Sequence, residues 1–128
     1  MKHLIIIAAG GSIGATARYL VSKYINESTG GAFPFGTLTV NLAGSFLLGF
    51  FFYLFDQVLV DVEIKSFITI GFLGAFTTFS TFSLESFNLL KSGEVKYGLL
   101  NMAANNFFGI LCVVLGVIVS RVVIQAVK

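Results

Sequence analysis

The side chains able to do chemistry in this sequence are few, and almost all are neutral. Asn41, Asn101 and Asn105 bring amide groups, and Thr77-Thr78-Phe79-Ser80-Thr81-Phe82-Ser83 interleaves hydroxyls with phenyl rings. An amide N–H is a donor, and a phenyl ring carries a positive edge. Groups of this kind favour an anion. Any one of the 15 phenylalanines is by default a packing residue, so the rings gain weight only from their setting. No nucleophile, base and orienting group fall together, so nothing reads as a catalytic centre. One histidine (His3) cannot build a histidine-based metal cluster, and one cysteine (Cys112) cannot close an intrachain disulfide. A net charge of +2 is too small to argue for nucleic acid.

The elements that must position these groups are apolar. Of 128 residues, 56% are hydrophobic and 11% charged, where a soluble domain carries about a quarter charged residues. A spanning helix needs about 20 mostly apolar residues. Four stretches qualify, over residues 4–25, 35–55, 64–90 and 95–127. The expected architecture is a single all-α membrane domain of four transmembrane helices. The connections are short and carry the usual punctuation, with Pro34 at a helix start, where proline is welcome.

Two N-terminal patterns are decoys. Lys2, an apolar run and Ala15-Thr16-Ala17 resemble a cleavable secretory leader. Cleavage there would discard Gly10 and Gly14, which share a helix face with Arg18. Gly10-Gly11-Ser12-Ile13-Gly14 hints at a dinucleotide loop, but its spacing is wrong and no alternating strands follow.

Small residues at helical spacing let helices approach closely in lipid. Gly10 with Gly14, and Ser45 with Gly49, have that spacing. In the fourth span Asn101, Asn105, Gly109, Cys112, Gly116 and Ser120 form one small or polar stripe. Lipid cannot satisfy an amide, so the stripe faces protein or a water-filled path. The third span is too long for a straight crossing, about 40 Å against a core of about 30 Å. Its middle is rich in glycine, threonine and serine, which compete for backbone hydrogen bonds. This predicts a break near Gly74 to Thr78, at mid-membrane, where freed backbone can line an ion site. The alternative is an intact helix whose hydroxyls bond back one turn.

Depth gathers the polar groups toward one membrane side. Arg18 and Glu85 lie near it. Asn41 and Asn101 lie about 9 Å in, each six residues into its span, and Asn105 lies one turn deeper. Arg18 and Glu85 could pair, or each could snorkel to the interface. The positive charges do not choose an orientation. Lys2, Lys65, Arg121 and Lys128 stand on one side, against Arg18, Lys23, Lys91 and Lys96 on the other. Either another signal orients the chain, or it inserts both ways round and pairs with its inverted copy.

Four motifs, in order along nearly the whole chain, carry a family resemblance. They are Gly10-Gly11-x-x-Gly14-x-x-x-Arg18, Gly36-Thr37-x-x-x-Asn41-x-x-Gly44-Ser45, Gly71-Phe72-x-Gly74-x-x-Thr77-Thr78-Phe79-Ser80-Thr81-Phe82-Ser83-x-Glu85, and the polar stripe followed by Gly116 to Arg121. The sequence closely resembles the Fluc, or CrcB, family of fluoride channels. The resemblance implies a dual-topology antiparallel homodimer in the cell (inner) membrane, with two pores that export fluoride passively. It places Phe79, Phe82 and Asn41 on the fluoride path, with Thr37, Ser80 and Ser83 alongside. It also extends the fluoride path along the fourth helix, beginning at Asn101 and Asn105, which stand where relatives can carry tyrosine and serine, a departure that leaves their detailed role open. It also implies a structural sodium ion on the dimer axis, held by backbone carbonyls of Gly74 and Thr77 from both subunits. Arg18 and Glu85 take structural or vestibule roles.

Two rival readings lack their residues. A proton-coupled exporter of cations wants a carboxylate deep in the first span, which has none. A non-transporting assembly subunit has no use for Asn41, Phe79 and Phe82 as a set.

Overall fold

The computed structural model describes residues 1–127, all helical apart from short connections. Lys128, one of the charges counted above, lies outside the described residues. Four helical spans are long and apolar enough to cross a membrane: Lys2–Thr29, Phe35–Gln57, Val62–Lys91 and Val95–Val127. The first helix runs unbroken through Ala15-Thr16-Ala17 and ends where Gly30 and Gly31 take φ of 56° and 114°, backbone that glycine adopts without strain. Pro34 then precedes the second helix. That helix ends on a carbonyl held by a cation: Lys65 Nζ donates to Phe55 O at 2.9 Å. Lys2 pairs with Glu63 at 3.0 Å, which brings the starts of the first and third spans to the same end.

The third span is not one α-helix. It opens with an α-helical turn, Val62–Ser66, widens into a π-helix over Phe67–Leu73, and closes its first half with Gly74–Phe76. Thr77 and Thr78 are extended, with φ/ψ of −86°/157° and −150°/118°. A second half-helix, Phe79–Lys91, follows. The expected break is therefore present, but at the far end of the predicted stretch: Gly74 is still helical, with φ −62° and ψ −33°. Its composition allowed a loop, and the helix holds through Phe76, closed off by Thr77, whose N–H and hydroxyl both donate to Leu73 O at 3.1 Å. The hydroxyls of Ser83 and Ser86 also bond back one turn, to Phe79 O and Phe82 O. Back-bonding and the break coexist.

Backbones touch where the small residues fall. A Cβ added at Gly10 or Gly14 would strike the backbone of Phe67 or Phe72, and one at Gly71 would strike Ile7 O. The first helix thus seats directly on the π segment. Gly49 against Val113 and Gly116 against Phe46 bring the second and fourth helices equally close. This is the small-residue packing expected where lipid removes any hydrophobic drive between helices. All six residues of the fourth-span stripe are buried or half-buried, and the flanking Leu, Val, Ile and Phe are mostly exposed.

Candidate functional site

The break is held by a side chain from another helix. Asn41 sits in the first third of the second span, one turn before Gly44, where an added Cβ would strike Thr77 Cγ2. Asn41 Oδ1 accepts from Thr78 N–H at 2.8 Å, and Asn41 Nδ2 donates to Thr78 O at 3.1 Å. The amide thus pairs with both peptide groups of Thr78, as a neighbouring strand would. In a continuous helix the Thr78 N–H would go to the Gly74 carbonyl; here it goes to Asn41. Thr78 also caps the second half-helix, its Oγ1 accepting from Thr81 N–H at 3.2 Å.

The remaining amide bonds run on into the fourth helix. Asn41 Nδ2 donates to Asn105 Oδ1 at 2.8 Å. Asn105 Nδ2 donates to Asn101 Oδ1 at 2.9 Å and to Asn101 O at 3.0 Å. Asn101 Nδ2 donates to Ser86 Oγ at 3.0 Å. Four side chains from three helices are joined in this way, all in the low-dielectric interior, where an unmade bond is costly. Asn101 is fully buried.

Two cavities adjoin this cluster. One, of about 260 Å³, is walled by Asn41, Ser45, Gly74, Thr77, Thr78, Phe79, Phe82, Asn105 and Asn106 among others, and no carboxylate lines it. The rings of Phe79 and Phe82 meet edge to face, centroids 5.3 Å apart. Phe82 is 6% exposed and Phe79 76% exposed. The second cavity, of about 380 Å³, is lined by Arg18, Lys23, Asn26, Thr37, Thr81 and Glu85 with their neighbours. Thr78 walls both cavities.

Of the two readings of Arg18 and Glu85, the direct ion pair does not form. The ion pairs among the described residues are Lys2–Glu63 and Lys23–Glu27. Glu85 Oε1 accepts from Thr37 Oγ1 at 2.7 Å, and this neutral partner from the second helix takes the place given to arginine. Arg18 and Glu85 instead face one cavity.

The other predicted site residues fall as follows. Thr37 is buried beneath Glu85. Ser80 is exposed, its Oγ 3.4 Å from Thr78 Oγ1. Ser83 gives its hydroxyl to Phe79 O. Gly74 is exposed and Thr77 half-buried. Asn105 reaches the first cavity and Asn101 does not. Sequence reasoning missed Ser86 and gave Thr78 only as an end of the break, not as a site residue. Thr78 was signalled as a hydroxyl residue preceding a helix; Ser86 carried no signal.

The fold and the cavities define a small multi-pass helical membrane protein with a neutral polar site at a broken helix. Residues 5–117 match the family model described as CrcB-like protein, Camphor Resistance (CrcB), and the chain belongs to this family. It is 49% identical over 118 residues to a protein of Magnetococcus marinus, covering 91% of this chain and 96% of the relative. A protein of Hahella chejuensis is 42% identical over 125 residues, covering 97% and 98%. One from Parabacteroides distasonis is 38% identical over 128 residues, the whole of both chains. Each of the three is named a fluoride-specific ion channel FluC. The family is one of ion channels, not enzymes.

Proposed function

We propose that this chain is a fluoride-selective channel of the inner cell membrane that lets fluoride leave the cytoplasm passively and so limits its toxicity. The observation that carries this reading is the cavity at the break, where Asn41 amide N–H groups stand beside the rings of Phe79 and Phe82 with no carboxylate in the wall. The second half-helix starts at this point, so its N-terminal dipole also favours a negative charge. Arg18 and Lys23 line the adjoining cavity together with Glu85, so the neutral donors at the break, not a surplus of cationic charge, carry the preference. An anion arriving at Asn41 competes with Thr78 O and Asn105 Oδ1 for its two N–H bonds. The names of the relatives support fluoride as that anion.

Fluoride enters acidified cells as the neutral weak acid and is trapped inside as the anion. The membrane potential drives it out again through a passive pore, at about 2.3 kcal/mol per charge per 100 mV. No proton-carrying carboxylate is needed.

The working unit in this reading is a homodimer with an inverted copy, forming two antiparallel pores. The even division of positive charge permits both insertions, and the exposure of Phe79 and Gly74 leaves both open to a partner. A sodium ion on the dimer axis suits the same region. The Gly74 carbonyl has lost its helical donor to Asn41, and freed carbonyls at a helix break are suitable ligands for such a cation. Gly74 and Thr77 of both copies would hold it, and the ion would tie the two broken helices together.

The test is an anion flux assay. Liposomes containing the protein and loaded with fluoride should release it when an ionophore clamps the voltage. Equal release of chloride would defeat the assignment.

A further inference from the structure

Ser86 and Asn101 lie outside the cavity wall, yet they end the amide chain that begins at the break. The chain has one polarity, and chemistry fixes it at both ends. Ser86 Oγ lies 2.8 Å from Phe82 O. A carbonyl only accepts, so the serine hydroxyl is committed as donor there and must accept from Asn101. Asn101 therefore turns its N–H to Ser86 and its oxygen to Asn105. Asn105 answers with its own N–H, also held by Asn101 O, and so presents oxygen to Asn41. Asn41 must then offer N–H to Asn105 and oxygen to Thr78 N–H, the orientation the Thr78 peptide demands independently.

We propose that Ser86 and Asn101 are positioning residues that, together with the Thr78 peptide and through Asn105, hold the edge Asn41 presents to the anion path. This rests on the channel reading given above. Without the Ser86 hydroxyl, Asn101 keeps an orphaned N–H at a fully buried position. Turning the amide over to relieve it sets N–H against the N–H of Asn105, and the conflict passes to Asn41. Asn105 itself is then a support with its oxygen toward Asn41, not a donor to the anion.

The experiment combines flux with spectroscopy on the reconstituted full chain. Ser86→Ala and Asn101→Leu should each slow fluoride efflux about fivefold, the worth of one ordinary hydrogen bond. The double variant should be no slower than either single, because both act through one chain. Ser86→Thr, which keeps the hydroxyl, should restore the rate. The assigned side-chain 15N amide signal of Asn41 should move in Ser86→Ala and return in Ser86→Thr. Independent, additive losses of flux would overturn the proposal, as would an Asn41 signal that stays in place. Should Asn101→Leu fail to assemble, the Ser86→Ala and Ser86→Thr pair decides alone. A parent protein that passes no fluoride would sink the channel reading, while the Asn41 signal would still decide the relay.

Discussion

The peptide N–H of Thr78 lies 2.8 Å from the side-chain oxygen of Asn41, and this bond marks where the third span stops being a helix. The two residues are 37 positions apart and belong to different spans. A helix broken inside a membrane needs replacement partners for its backbone, since lipid offers none. Asn41 supplies two at once.

Asn41→Leu keeps the volume and removes both partners. It should leave Thr78 N–H and C=O unsatisfied and destabilise the protein by about 2–4 kcal/mol. Thermal unfolding in detergent would report the loss, and fluoride efflux should fall with it. An unchanged melting temperature would mean that the Thr78 peptide finds other partners.

The two rings differ in burial, so their variants separate packing from function. Phe79 is 76% exposed and Phe82 is 6% exposed. Phe79→Ile should slow fluoride efflux and cost less thermal stability than Phe82→Ile. Phe82→Ile should slow efflux and cost stability as well, since it reshapes a packed site. Both variants should still dimerise. Normal flux in the pair would return the rings to a packing role.

The close approach of the first helix to the π segment predicts a contrast between neighbouring glycines. Gly14→Ala places a methyl against the Phe72 carbonyl, whereas Gly11→Ala meets only Gly71 O at 3.9 Å. The first should cost about 1–3 kcal/mol and the second should be tolerated. Fluorescence-detected size-exclusion chromatography of the two variants would rank them.

The inverted pair is tested by labelling. With Cys112 replaced by alanine, Ala126→Cys should react with a membrane-impermeant thiol reagent from both faces of sealed vesicles. Reaction from one face only would rule out dual insertion.

Much of this was legible in the sequence, because apolar length and small-residue spacing are local properties. The four spans, the buried stripe from Asn101 to Ser120 and a break somewhere from Gly74 to Thr78 follow from composition within a few turns of chain. The partners did not follow. Arg18 and Glu85 fell at one depth, but depth does not fix the rotation of a helix about its axis, and Thr37 holds the carboxylate instead. Ser86 looked like any serine in a helix. Its meaning lies in Asn101, which is brought to it by the packing of the fourth helix on the second half-helix. The stretch Phe67–Leu73 has no composition that distinguishes a π-helix from an α-helix.

That stretch makes the length of the third span a setting in its own right. A π turn accommodates one residue more than an α turn over the same rise. Were Phe67–Leu73 wound as an ordinary α-helix with every residue kept, the spare residue would add a further step of about 1.5 Å beyond the turn. Everything downstream would then be turned by about 100°, the angle one residue subtends. Thr78 would face away from Asn41, and Phe79 and Phe82 would point elsewhere, though not one of those residues had been changed. The spare residue acts as a phase adjustment, matching a half-helix seated on the first span to a half-helix that must meet the second and fourth.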